Sequence, residues 1–149
     1  MERVTRLFET IDALMKSCDI DYEALNGMQI DKALFADYEQ QRIVNSFLFN
    51  YMKIQDKIGA KLLRGVLYEL REIDDDGMPM RDVLNRLEKL RLIESAREWD
   101  TLREIRNAIA HEYPLDVDER IENITIALEG YRALKRMYAR LKDGMRRHE

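Results

Sequence analysis

The sequence predicts an all-α protein, an antiparallel up-and-down bundle of four to five helices, and two observations support this fold class. The 149 residues include only 6 glycines and 2 prolines, so few residues interrupt a helix. Apolar residues recur at spacings of three and four almost throughout, and no stretch alternates as a strand does. Amphipathic helices joined by short connections favour antiparallel neighbours, and we expect a single helical domain over residues 1–149.

The N-terminal half is predicted to contain a helix near residues 2–17 and then a connection over residues 19–28. A long helical pattern follows over residues 31–72, with an interruption before Gln40. Residues 1–40 are therefore interpreted as an N-terminal helix and connection. A turn rich in aspartate then leads to a short helix over residues 81–92.

The C-terminal half carries clear signals for helix ends. Ser95 and Glu98 match a capping box, which predicts a helix beginning there, and Pro114 is expected to end that helix. Asp116 or Asp118 is expected to cap a last helix that runs towards Met145. This helix carries apolar residues seven apart: Val117, Ile124, Tyr131, Tyr138 and Met145. Such a stripe is compatible with a dimer seam, but bundle core is the favoured interpretation.

Composition excludes several classes of protein. One cysteine cannot form an internal disulfide, and two histidines with one cysteine cannot supply a Cys/His zinc site, so we expect no metal and no cofactor. The first twenty residues are interrupted by charges, unlike a signal peptide, and no long uncharged apolar stretch is present to span a membrane. A cytoplasmic protein without a membrane segment is expected.

Charge is unevenly distributed along a chain whose net charge is −4. Residues 1–40 contain nine acidic and four basic side chains, whereas residues 131–149 contain seven basic and two acidic side chains. The basic C-terminal segment, which ends in a tail at residues 141–149, permits a surface that faces phosphate groups. The ordinary alternative is a solvated helix face.

The most informative stretch is RNAIAHEYP, residues 106–114. A histidine that titrates near neutrality suits proton transfer, and an arginine offers a permanent forked cation for phosphate oxygens. On an ideal helix Arg106 and His111 lie about 140° apart, so the helix must fray or tighten before Pro114 for both to reach one site. Asn107 shares the face of His111 and is expected to orient the imidazole, while Tyr113 projects its hydroxyl beside both.

The motif resembles the signature of HepT-like toxins in the HEPN superfamily of helical ribonucleases. These proteins carry an arginine, four residues, a histidine, any residue and a tyrosine, which Arg106, His111 and Tyr113 match, with Asn107 also in family register. Residues 51–57 and 61–63 resemble the second-helix segment of the family, and residues 98–105 resemble the approach to the motif. The likeness covers about residues 40–140.

The resemblance implies a metal-independent endoribonuclease toxin of a toxin–antitoxin pair. It implies a homodimer whose two motifs face one cleft, with Arg106 and His111 catalytic and with RNA as the substrate. The family's partner is a minimal nucleotidyltransferase antitoxin, which silences the toxin by attaching AMP to the motif tyrosine, here Tyr113. Lys53, Gln55 and Asp56 are candidates for lining the same cleft.

Two other functions are compatible with the sequence. The first alternative is a non-catalytic HEPN binding module that pairs with a nucleotidyltransferase. The net negative charge of the chain is compatible with such a partner-binding protein. A purely structural helical dimer is the third interpretation, and it would leave Arg106 and His111 pointing apart.

Overall fold

The protein is all-helical in the residues that its structure, a computed structural model, describes: 2–74, 77–111 and 116–148. A 3₁₀ turn at Lys32–Ala36 precedes α2, and a π turn at Ile58–Leu62 joins α2 and α3 into one continuous rod. The bundle therefore contains five rods, and the predicted fold class is confirmed. The helices are α1 (Glu2–Asn26), α2 (Tyr38–Lys57), α3 (Leu63–Glu69), α4 (Met80–Lys89), α5 (Ala96–Ala110) and α6 (Val117–Arg147).

Contacts of α1 with α6 show that these two helices are antiparallel. The Tyr131 hydroxyl donates to the Asp19 carboxylate at 2.6 Å, and the Tyr138 hydroxyl donates to the Asp12 carboxylate at 2.7 Å. Residue numbers thus rise along α6 as they fall along α1.

The remaining long helices are also antiparallel to their neighbours. Ser46 of α2 donates to Asp21 near the C-terminal end of α1, whereas Gly65 of α3 lies against Val4 at its N-terminal end. On α6, Gly130 approaches Ile105 near the C-terminal end of α5, whereas Gly144 approaches Leu92, which precedes the start of α5. α1 and α5 consequently run in one direction, and the α2–α3 rod and α6 run in the other.

The seven-residue stripe of α6 lies in the bundle core, as the sequence favoured. Tyr131 is fully buried and its ring packs within 6.0 Å, between centroids, of Phe47 and Tyr51 of α2 and Tyr22 of α1. Gly130 is required beside this cluster, because a Cβ atom there would collide with the Tyr51 hydroxyl. Ile124, Tyr138 and Met145 are buried as well.

The predicted connection over residues 19–28 is wrong for most of its length, because α1 continues to Asn26. Its acidic residues resemble a loop in the sequence, but the helix buries Leu25 completely and packs Tyr22 on the core. Asp19 is held by hydrogen bonds from α6. Tertiary contacts therefore extend the helix through residues that a local pattern assigns to a connection.

Two helices end earlier than predicted, α3 at Glu69 instead of residue 72 and α4 at Lys89 instead of residue 92. Arg71 and Arg91 adopt positive φ angles of 60° and 61°, which terminate a helix in the way that glycine usually does. The next backbone N–H after each arginine donates to a carbonyl five residues earlier, closing the helix end. Because neither position is a glycine, the sequence carries no stop signal there.

The predicted caps of α5 and α6 are present. The Ser95 hydroxyl accepts from the backbone N–H of Glu98, and Asp116, rather than Asp118, accepts from the N–H of Glu119. Asp37 caps α2 in the same way and marks the interruption expected before Gln40. No helix in the described ranges is both long and apolar enough to cross a membrane.

Candidate functional site

Arg106 of α5 forms a two-point ion pair with Asp56 of α2. Its Nε donates to Oδ1 at 3.0 Å and its Nη2 donates to Oδ2 at 2.9 Å. The hydrogen bond with Asp56 raises the pKa of the guanidinium. The Arg106 side chain is 31% exposed and the Asp56 side chain 54% exposed, so the pair contributes little to stability. Its main effect is to hold the guanidinium in one orientation at the surface.

The close approach of α2 to α5 beneath this pair depends on the π turn. The Leu63 N–H donates to the Ile58 carbonyl, the five-residue bond of a π turn. Gly59, inside that turn, faces the buried ring of Trp99, and a Cβ atom at Gly59 would lie 2.8 Å from the ring's Cζ2 atom. Only glycine leaves room for this contact, which places Asp56 within reach of Arg106.

His111 lies at the end of α5, where the backbone leaves the helix. Its φ and ψ are −85° and 80°, and its backbone N–H still donates to the Asn107 carbonyl at 3.1 Å. The side chain is exposed. The sequence required the helix to fray or tighten near His111, and α5 does end at Ala110.

Asn107 is exposed and lies beside Arg106. Within the described residues, the hydrogen bond between Asn107 and His111 involves only their backbones, and the expected bond from the Asn107 side chain to the imidazole is absent. Tyr113 lies outside the described residues, as do its neighbours from 112 to 115. Its position beside the motif stays a prediction.

Two surface cavities flank the Arg106–Asp56 pair. The first, which we call the lysine groove, has a volume of about 570 Å³; it is lined by Phe49, Lys53, Asp56, Lys57, Lys61 and Arg106 together with small and apolar side chains. The second, which we call the amide cavity, has a volume of about 520 Å³; its polar lining is Gln55, Asp56, Arg64, Arg103, Arg106 and Asn107. Lys53, Gln55 and Asp56, selected from the sequence as cleft residues, all lie in these walls.

The amide cavity contains two unusual polar atoms. Gln55 is 2% exposed, and its Oε1 has no hydrogen-bond partner among the described residues. The Nε atom of Arg64 is buried without a described partner as well. Unpaired buried polar atoms are costly to a fold and are more often tolerated at sites that bind a ligand than in ordinary core.

Sequence reasoning missed Lys57, Lys61, Arg64 and Arg103 as residues of these walls. A signal for two of them was present, because Phe49, Lys53, Lys57 and Lys61 follow one another at intervals of four. Arg64 and Arg103 carry no comparable signal, since their relation to Arg106 arises from helix packing.

Three basic side chains of α6, by contrast, contact α1 within the molecule. Lys135 pairs with Asp19 at 2.8 Å and Lys142 pairs with Asp12 at 2.6 Å, both on α1. Arg132 donates to the Tyr22 hydroxyl. Attraction between the acidic first helix and the basic last helix therefore accounts for part of the uneven charge of the sequence. Arg136, Arg140 and Arg147 of α6 instead line a separate cavity of about 710 Å³ together with Arg91.

Comparison with known proteins does not assign the chain to a family, so the protein is described by its fold and its candidate site. No family model matches the chain, and no curated protein and no solved structure is similar to it. Within the described residues, no group of three or more His, Cys, Asp or Glu side chains is arranged to hold a metal ion. The site is defined by an oriented arginine, an exposed histidine at a helix end and two flanking cavities.

Proposed function

We propose that the protein is a metal-independent endoribonuclease toxin of HEPN type. The observation that carries the proposal is the Arg106–Asp56 pair, which orients a guanidinium at the surface between two cavities, five residues from an exposed histidine at a helix end. The match of Arg106, His111 and Tyr113 to the HepT signature supports it further.

In the proposed reaction, the 2′-hydroxyl oxygen of the substrate attacks the adjacent phosphorus, and the bond from phosphorus to the 5′-oxygen breaks. His111 takes the proton of the 2′-hydroxyl and returns it to the leaving 5′-oxygen. The products of this step are a 2′,3′-cyclic phosphate and a 5′-hydroxyl. Side-chain groups are sufficient for each proton transfer, which is why the proposed activity needs no metal.

Arg106 stabilises the negative charge that builds on the phosphate oxygens in this scheme. Asp56 occupies Nε and one N–H of Nη2, so the Nη1 donors and the second N–H of Nη2 are not bonded to any described residue. The guanidinium can therefore bind a phosphate oxygen while Asp56 keeps it in place.

The proposal includes the quaternary arrangement and the regulation implied by the resemblance. Two copies form a homodimer with their motifs in one cleft. A minimal nucleotidyltransferase antitoxin transfers AMP from ATP to the Tyr113 hydroxyl and releases pyrophosphate. An AMP group there would place negative charge and bulk where the RNA phosphate must bind, and would thereby repel the substrate.

The deciding experiment is cleavage of mixed tRNA and mRNA by the purified protein in excess chelator. We expect wild type and His148→Ala to cleave and His111→Ala to lose cleavage, since His148 is the other histidine and lies at the far end of α6. The His111→Ala variant should keep the thermal stability of wild type, because an exposed side chain carries little packing energy.

Full cleavage by His111→Ala, or loss of its folding, would contradict the catalytic assignment. Absence of cleavage by wild type whose intact mass shows no AMP would favour a non-catalytic binding module that pairs with the nucleotidyltransferase.

The regulatory part is tested by incubating the protein with its nucleotidyltransferase and ATP and measuring intact mass. We expect AMP on wild type and on Tyr38→Phe, whose hydroxyl-bearing ring is 74% exposed on α2, but not on Tyr113→Phe. Undiminished AMP addition to Tyr113→Phe would exclude Tyr113 as the acceptor.

A further inference from the structure

Four side chains form a stripe along the α2–α3 rod. Phe49, Lys53, Lys57 and Lys61 follow at intervals of four, and all four line the lysine groove beside Arg106. Twelve residues of helix cover about 18 Å. The stripe is therefore long enough to contact several successive nucleotides rather than a single small ligand.

The π turn brings the two ends of this stripe closer to one face. In an uninterrupted α-helix, Lys61 would be rotated by about 120° from Phe49, because each interval of four adds about 40°. The wider turn at Ile58–Leu62 reduces this rotation. Phe49 and Lys61 accordingly line the same groove.

The charge of the groove is opposite to that of the whole protein. None of the three lysines forms an ion pair with a described residue, whereas the one acidic side chain of the groove, Asp56, is already paired with Arg106. Lys61 also lines an adjoining cavity together with Arg3 and Arg6 of α1, so the basic path continues beyond the groove. Although the net charge of the protein is −4, three lysines without an ion pair to a described residue lie along this groove.

Phe49 adds a feature that lysines alone would not provide. Its ring is 62% exposed at one end of the stripe, and the Lys53 ammonium lies 5.8 Å from the ring centroid. An exposed aromatic ring beside a basic groove is the arrangement with which proteins bind single-stranded nucleic acid, since the ring stacks on an unpaired base and the cations contact the backbone.

We propose that the lysine groove binds single-stranded RNA and guides it to Arg106, with Phe49 stacking on a base and Lys53, Lys57 and Lys61 contacting successive phosphates. This inference rests on the proposed function, because it names the form of substrate that the site takes and the path by which that substrate enters. A base-paired duplex keeps its bases stacked internally and would not use Phe49.

The test is fluorescence-anisotropy binding of a labelled single-stranded RNA of about 12 nucleotides, carrying 2′-O-methyl groups so that it cannot be cleaved. The groove variant is Lys53→Ala/Lys57→Ala/Lys61→Ala. The matched control is Lys16→Ala/Lys32→Ala/Lys89→Ala, which removes the same charge from exposed lysines outside the groove. We expect the groove variant to bind about tenfold or more weakly than the control, with a salt dependence reduced by about 2 in the logarithmic slope.

The stacking role of Phe49 has its own comparison. Phe49→Leu should weaken binding of the single strand about tenfold while leaving duplex binding unchanged, and Phe49→Tyr should bind like wild type. Equal affinity of the groove and control triple variants would overturn the proposal. So would unchanged RNA affinity combined with loss of dimers in light scattering, which would assign this face to the partner copy.

The two proposals fail separately. Binding that depends on the groove, without cleavage by wild type, would reject the ribonuclease and retain the groove. Cleavage that is lost in His111→Ala but unaffected in the groove variant would reject the groove and retain the ribonuclease.

Discussion

The ion pair between Arg106 and Asp56 contributes little energy but fixes the orientation of a side chain. Both side chains are partly exposed, so solvent screens their attraction and the pair adds little to the free energy of unfolding. Two parallel hydrogen bonds nevertheless fix the plane of the guanidinium, which a single contact would leave free to rotate. The expected consequence of breaking the pair is therefore kinetic.

Replacing Asp56 by asparagine preserves its volume but removes its charge and one of the two acceptors. Under the proposed function, we expect RNA cleavage to fall about 10- to 100-fold, because the arginine proposed to bind the phosphate loses its orientation. The free energy of unfolding, measured by urea denaturation, should change by less than about 1 kcal/mol.

The matched control is Glu39→Gln, which breaks an exposed ion pair with Arg42 on the same helix. It should leave both cleavage and stability unchanged. Cleavage by Asp56→Asn at the wild-type rate would show that Asp56 does not position Arg106.

Among the helical elements, the π turn lies next to the candidate site. Gly59 in this turn packs against Trp99, Asp56 precedes the turn, and Lys61 of the lysine stripe lies within it. π turns are often found at functional sites. Because of this turn, the side chains of the α2–α3 rod after residue 58 point in directions that differ from those of an uninterrupted α-helix.

A Gly59→Ala substitution tests this arrangement. The added methyl group would lie 2.8 Å from the buried Trp99 ring, so α2 and α5 must separate or the ring must shift. We expect a loss of about 1–3 kcal/mol in the free energy of unfolding, together with reduced RNA cleavage.

Gly65→Ala is the control, in α3 of the same rod. Its Cβ would make ordinary contacts, the nearest at 3.5 Å to Val4, and alanine favours a helix over glycine by about 0.5–1 kcal/mol. We expect this variant to be as stable as wild type or slightly more so. Equal stability of both variants would mean that the packing of Gly59 against Trp99 is not restrictive.

For the molecule as a whole, the pairing of α1 with α6 accounts for part of the uneven charge of the sequence. Burial by itself would raise the pKa of Asp12, but hydrogen bonds from Lys142 and Tyr138 and the charges of Lys142 and Arg146 outweigh it, so this pKa lies below its ordinary value of 3.8. Asp12 therefore stabilises the folded protein fully at pH values above its ordinary pKa of 3.8. This stabilisation is lost as the pH falls through the lowered pKa of the folded state.

The lowered pKa of Asp12 predicts how the stability of the bundle depends on pH in acid. Between about pH 5 and pH 2, the free energy of unfolding should fall more steeply for wild type than for Asp12→Asn, which has no charge to lose. The difference should be below about 1 kcal/mol, because the Asp12 side chain is 45% exposed.

Urea denaturation at several pH values measures this difference. Glu9→Gln, on an exposed position of the same helix, serves as the control and should follow wild type. Parallel curves for wild type and Asp12→Asn would show that the contacts of Asp12 do not stabilise the folded state.

Local features of the sequence were sufficient for much of the fold. Helical spacing predicted the class, Ser95 and Asp116 predicted two helix starts, and Pro114 predicted that a helix ends close to His111. These predictions succeed because capping and the restriction imposed by proline act over only a few residues. The end of α1 was not predictable in this way, since its last turns are held by contacts with α2 and α6.

In the candidate site, too, some features follow from the sequence alone and others follow only from the packing of the helices. The sequence by itself determined that Arg106 and His111 share a helix end and that Phe49, Lys53, Lys57 and Lys61 lie four residues apart. Only the tertiary structure decided that Asp56, fifty residues from Arg106, holds its guanidinium, and that the stripe lines a groove beside it. The physical reason is that spacing along a helix is a local property, whereas the partner of a charge depends on which helices pack together.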